Sequence, residues 1–288
     1  MMPARLSDST RLSIPNVLRL TGDAVARNWA AGAIITAVLT WAPALVWDLV
    51  LRGVSFEHMQ PLDRWEVGAV KSISTLALEW LGIAAVSQLV VSKPARHVGI
   101  IAAVKGAGGV YVTLLPFWFL NGLSAWTRLA LQLLLAAEQT GHLVRSFHSL
   151  VNLQTAGMLL PPLLALPFSM AIGIFVPTGV AERQGLRATL GRSWSLLMGS
   201  RWIFLGVFLA VSLAPGLVDL IWRPARGIVV APLVGMGWTD AKLYIGWPFY
   251  LIERLVAAVG WVVIAATYLD LRRLKDGPDH DELSDVFA

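Results

Sequence analysis

Apolar residues come in long unbroken runs, without the every-second-residue alternation of a half-buried strand. A helix needs roughly 20 predominantly apolar residues to cross about 30 Å of hydrocarbon. By that measure the pattern predicts six spans, at residues 29–51, 69–91, 108–129, 153–176, 202–222 and 247–269. Arg128 interrupts the third, which reads either as one tilted crossing or as a crossing followed by a helix lying at the interface. Lipid offers no hydrogen-bond partners, so each span must satisfy its own backbone, as a helix or in a closed barrel. Barrel strands alternate apolar and polar positions. Runs such as RWIFLGVFLAVSL and LVAAVGWVVIAATYL do not. The expected fold is therefore an all-α integral membrane bundle of about six transmembrane helices with amphipathic interfacial helices.

The polar stretches between the runs set the expected organisation. Residues 1–28 read as a cytoplasmic amphipathic lead-in, 29–272 as a single membrane domain, and 273–288 as an acidic tail without the apolar content to fold. No compact apolar run with a small-residue cleavage site occurs before the first span, so that span is expected to act as an uncleaved anchor. Lys and Arg residues in the N-terminus, the second and fourth connections and the C-terminus outnumber those in the other connections by two to one. That bias predicts both termini in the cytoplasm. Many of the 13 tryptophans, among them Trp29, Trp202, Trp222 and Trp247, fall near expected span ends, at headgroup depth. Trp41, Trp80, Trp118 and Trp261 lie deeper and read as packing residues.

Three cytoplasmic stretches each precede an outward-going span, and ARNWAAGAIITAVLTWAPAL parallels GSRWIFLGVFLAVSLAPGL, with Pro43 opposite Pro215. One reading is three repeated units, each an amphipathic helix plus a membrane hairpin. The other is that apolar spans look alike in a loose alignment, and both stay open. In the third stretch Leu186, Leu190, Trp194 and Leu197 fall on one helix face, with Gln184, Arg192, Ser193 and Ser195 away from it. A helix lying in the cytoplasmic interface fits, with Arg183, Arg187, Arg192 and Trp194 as candidate lipid contacts and anionic headgroups as partners.

Composition narrows the classes. The 288-residue chain is 56% hydrophobic and only 14% charged, with a mean hydropathy of +0.66. Soluble domains carry about 25% charge, so this chain has too little polar surface to cover a globule in water. An ordinary soluble enzyme is excluded. The absence of cysteine excludes disulfides and thiolate chemistry.

The stretch VPTGVAERQGLRATLGRSWSLLMGSRW resembles the signature of a largely uncharacterised bacterial multi-pass family. That family is related to the membrane domain attached to some glycerophosphoryl diester phosphodiesterases. The matching positions are Val180, Glu182, Gly185, Leu190, Arg192, Ser193, Leu196, Gly199 and Trp202. IPNVLRLTGDAVARNW and AATYLDLRRLKDG are similar to the family's opening helix and closing basic turn. The resemblance implies a six-helix membrane fold in the bacterial inner membrane and supplies no activity. The soluble phosphodiesterase barrel of the fused members has no residues here to build it.

Candidate chemistry is sparse. His58, His97, His142, His148 and His280 lie in connections or the tail, and none forms an H-E-x-x-H pair. A weak outward metal site around Glu138, His142 and His148 is conceivable from composition, but its spacing puts the histidines on different helix faces. No nucleophile elbow, carboxylate pair or phosphate loop occurs, and GAGGV at 106–110 reads as a flexible span entrance. No catalytic residue, cofactor, metal or nucleic acid is expected. Charge inside a span is costly, about 2.5–3.5 kcal/mol at the centre, which singles out Glu79, Arg128, Asp219, Glu253 and Arg254. They form either a polar vestibule in the outer half of the bilayer, with Glu79 deepest, or interhelical ion pairs such as Asp219 with Arg254 or Glu79 with Arg128. The expected role is non-enzymatic, in membrane organisation, assembly or interaction; the alternative is a transporter or flippase-like carrier using that vestibule.

Overall fold

A computed structural model describes residues 12–52, 61–92, 99–121, 173–237 and 241–277. Among them the chain is helical with no strand. The helices are α1 (Ile14–Thr36), α2 (Ala42–Leu51), α3 (Pro61–Val91), α4 (Ile100–Asn121), α5 (Leu186–Leu197), α6 (Arg201–Gly235) and α7 (Ala241–Asp276). A further helical stretch, residues 173–182, leads into α5. Among the described residues four stretches are long and apolar enough to cross a membrane: Ile14–Leu51, Val70–Val91, Arg201–Trp222 and Tyr244–Asp276. They contain the expected first, second, fifth and sixth spans. Most of the fourth, with Pro161 and Pro162, lies outside the described residues, as does Arg128.

Helix boundaries differ from the expected ones in three places. The lead-in and first span are continuous, because Pro15 starts α1 at its first turn and nothing stops it near residue 29. Instead the helix widens into a π turn at Ala37–Trp41, where the Ala42 N–H reaches back to the Ala37 carbonyl. Pro43 follows at once in α2 and has no N–H to give the preceding turn. Pro215, its counterpart in the loose repeat, sits inside an uninterrupted α6. That helix runs on past Trp222 through Pro224 and Pro232 to Gly235. Finally, α4 begins at Ile100, so the expected flexible entrance at 106–110 is regular helix. Gly106 lets it approach α3: a Cβ there would stand 3.2 Å from Gln88 Oε1.

The core sits where α1, α3 and α7 meet, with α4 and residues 173–182 against α3 and α6 against α7. Trp80 is fully buried and its ring lies 6.3 Å from that of Trp261, which makes both packing residues. Gly260 makes the closest approach of α7 to α6, since a Cβ there would meet Val211 Cγ1 at 2.5 Å.

Candidate functional site

Two polar layers are built onto this bundle. The first gathers residues from 12–13, 182–200 and 268–276. Asp270, almost wholly buried, accepts from the Ser13 N–H at 3.2 Å through Oδ2, placing a carboxylate at the positive end of α1. Ser200 Oγ accepts from the Leu12 N–H at 3.3 Å. Glu182 Oε1 accepts from both Arg192 Nε and the Tyr268 hydroxyl, each at 3.1 Å. Arg192 also donates through Nη2 to Asp276, which Arg272 Nε approaches to 3.8 Å. Burial alone pulls the Arg192 guanidinium down, but hydrogen bonds and charge from Glu182 and Asp276 outweigh it and hold it above the ordinary arginine value. Two of the stretches quoted for the family resemblance, and the two residues just before the third, thus meet in one clasp. An open polar recess of about 600 Å³ lies beside it, lined by Glu182, Gln184, Arg192, Arg272 and Asp276.

The clasp changes the reading of α5. Its inward face carries Thr189, Ser193, Leu196 and Leu197, whereas Ser193 was expected to point away with the polar residues. Burial is tolerated because each hydroxyl finds a carbonyl: Thr189 donates to Gln184 O and Ser193 to Thr189 O. Trp194 is 56% exposed, and Arg183 and Arg187 are exposed beside it. Arg192 is different, because its guanidinium faces two carboxylates of the protein. Arg183 has a positive φ of 51° in the short link between residues 173–182 and α5, a conformation rare for a residue with a Cβ.

The second layer lies within the candidate spans. Arg254 Nη1 on α7 donates to Glu79 Oε1 on α3, 175 residues away in sequence. The Tyr250 ring lies 4.6 Å from the Arg254 guanidinium carbon, adding a cation–π contact. Glu79 therefore pairs with Arg254, a combination the sequence reading did not single out. Asp219 and Glu253 are half-buried on α6 and α7 with interactions of their own. Toward the start of α3, Lys71 Nζ bonds Asp48 Oδ1 at 2.6 Å and Ser74 Oγ accepts from Trp47 Nε1 at 2.8 Å. Neither pair was among the ion pairs expected from the sequence. A cavity of about 20 Å³ adjoins Glu79 and Arg254, walled by Thr36, Thr40, Gly82 and Trp261. Among the described residues no group of three or more metal-ligating side chains converges.

Among the described residues the fold is thus helical, with four helices long and apolar enough to span a membrane. No known family, no curated protein and no solved structure matches the chain.

Proposed function

We propose that this chain is a non-enzymatic, multi-pass protein of the bacterial inner membrane that organises or assembles membrane components through its cytoplasmic face. Six spans, a cytoplasmic location for both termini and kinship with the phosphodiesterase-linked membrane domains belong to this proposal. One observation carries it: the clasp fixes α5 by its inner face and leaves Arg187 and Trp194 exposed on it, with Arg183 exposed in the link before it. A basic residue near an anionic membrane surface contributes about 1 kcal/mol, and Trp favours headgroup depth. The partner on this reading is the anionic headgroup layer.

The test is the thermal stability of the full chain in nanodiscs of phosphatidylglycerol against phosphatidylcholine. Stabilisation by the anionic lipid is expected, and its loss in Arg183→Ala/Arg187→Ala without loss of helical content. Equal stability of the unaltered chain in both lipids refutes the headgroup role. The second reading, a carrier with a vestibule at Glu79, is favoured by the residual exposure of the intramembrane pair, 28% for Glu79 and 23% for Arg254.

A further inference from the structure

Polar groups on α3 recur one turn apart, at Lys71, Thr75 and Glu79, with Ser74 beside them. They face a second polar wall in which Asp48 meets Lys71, Trp47 meets Ser74, and Thr40 of the π turn and Thr36 just before it border the cavity at Glu79. Eight residues of helix separate Lys71 from Glu79, about 12 Å at 1.5 Å per residue. Beyond Glu79 the lining turns apolar, with Ile83, Val86 and Trp261, and Val86 is shared with an apolar cavity of about 110 Å³ that Leu89 and Val90 also line. The seam is thus polar toward Lys71 and apolar beyond Glu79.

Two observations bear on what fills it. The Arg254 Nε atom is buried and has no protein partner. The cavity it borders measures about 20 Å³, and about 10–15 Å³ is enough for one water molecule with two to four polar partners. Arg254 Nε supplies a donor, the Glu79 carboxylate an acceptor, and Thr40 Oγ1, which donates to Thr36 O, has acceptor capacity left. We infer that the seam between the π turn, α2 and α3 is a one-sided water path that ends at a single bound water on the Glu79–Arg254 pair. It admits water and ions of similar size and excludes larger solutes. This path rests on the vestibule of the second reading, to which it gives a depth and an occupant, and it depends on neither headgroup binding nor substrate transport.

The chain contains no cysteine, so single cysteines report on the path without background. Thr40→Cys, Ser74→Cys and Thr75→Cys line it, while Ile73→Cys and Leu78→Cys lie on exposed apolar positions of the same helix. Silver ion is the probe, applied to the full chain in sealed vesicles of each orientation; protection from later maleimide labelling in detergent is the readout. Silver must arrive in water, and a thiol reacts as thiolate. Protection is expected at the three seam positions from the Lys71 side alone, with none at Ile73→Cys or Leu78→Cys. Adding Gly82→Ala, whose Cβ would stand 3.4 Å from Leu39 Cβ next to position 40, should slow protection at Thr40→Cys and leave Ser74→Cys unchanged. Seam cysteines that stay unprotected in vesicles yet label fully in detergent overturn the inference. Equal protection at the apolar positions, or protection from both sides, overturns it as well.

Discussion

Tyr268 and Arg192 converge on one carboxylate oxygen, each 3.1 Å from Glu182 Oε1. One donor comes from α7 and the other from α5, so a single carboxylate joins these two helices. Tyr268 is fully buried and Glu182 nearly so, which makes the junction expensive to leave half made.

Removing one partner at a time should therefore cost stability in a defined order. Tyr268→Phe loses one hydrogen bond to a charged acceptor, about 1.5–3 kcal/mol. Glu182→Ala strands both donors and should cost more, while Arg192→Lys should fall between because an ammonium cannot serve Glu182 and Asp276 in the same fork geometry. Thermal unfolding in detergent checks the order; Tyr268→Phe being the most damaging of the three would refute it.

Alkaline pH should leave the clasp intact. A group whose folded pKa is raised contributes stability that is complete below its unfolded pKa and fades as pH climbs through the folded one. For Arg192 that window lies above the ordinary arginine range. The stability difference between the unaltered chain and Arg192→Ala should accordingly be flat from about pH 7 to pH 10. A gap that closes in this range would mean that Arg192 is not the cation that holds the clasp.

The membrane-crossing runs were legible because hydropathy is a local property. The stretches Val70–Val91 and Arg201–Trp222 fall within a residue of the expected spans. The ends of helices were less legible. The fifth span was expected to end at residue 222, yet α6 continues through Pro224 and Pro232, and GAGGV at 106–110 read as a flexible entrance where the chain is regular helix and Gly106 permits close packing. Pairing was not legible at all. Whether Glu79 meets Arg128 or Arg254 depends on the rotation of helices far apart in sequence, and no local pattern encodes it. The face of α5 failed for a related reason: a leucine stripe does not distinguish lipid from protein, and Ser193 is buried because its hydroxyl bonds a carbonyl of its own helix.

Glycines separate into two groups that should respond oppositely to alanine. At Gly260 an added methyl would meet Val211 Cγ1 at 2.5 Å, and at Gly173 it would meet Phe208 Cδ2 at 2.8 Å. Overpacking of this kind costs about 1–3 kcal/mol. At Gly191, in the middle of α5, nothing lies within 4 Å, and alanine should gain about 1 kcal/mol of helix propensity. Unfolding midpoints of the three variants give the signs directly, and stabilisation by Gly260→Ala would contradict the α6–α7 packing.

The expected orientation is checked by topology reporters fused after Gln60, Arg145 and Gly235. All three should read as external, because each follows an outward-going span in the six-span scheme. Gln60 and Arg145 lie outside the described residues, whereas Gly235 ends α6. Cytoplasmic readings at two of the three sites would reverse the orientation.

Glu79 and Arg254 admit a test that separates a tie from a site. Glu79→Gln and Arg254→Gln should each destabilise the bundle by leaving the other charge without its counter-ion in a low dielectric. Their double variant should lose less than the sum, with a coupling of about 1–3 kcal/mol. The exchange Glu79→Arg with Arg254→Glu keeps the pair and reverses its direction. If the pair serves only to join α3 to α7, the exchange should recover much of the stability lost by Glu79→Arg alone. Additive losses, with no recovery in the exchanged protein, would show that the two charges do not hold each other, and each would then need a partner elsewhere along its helix.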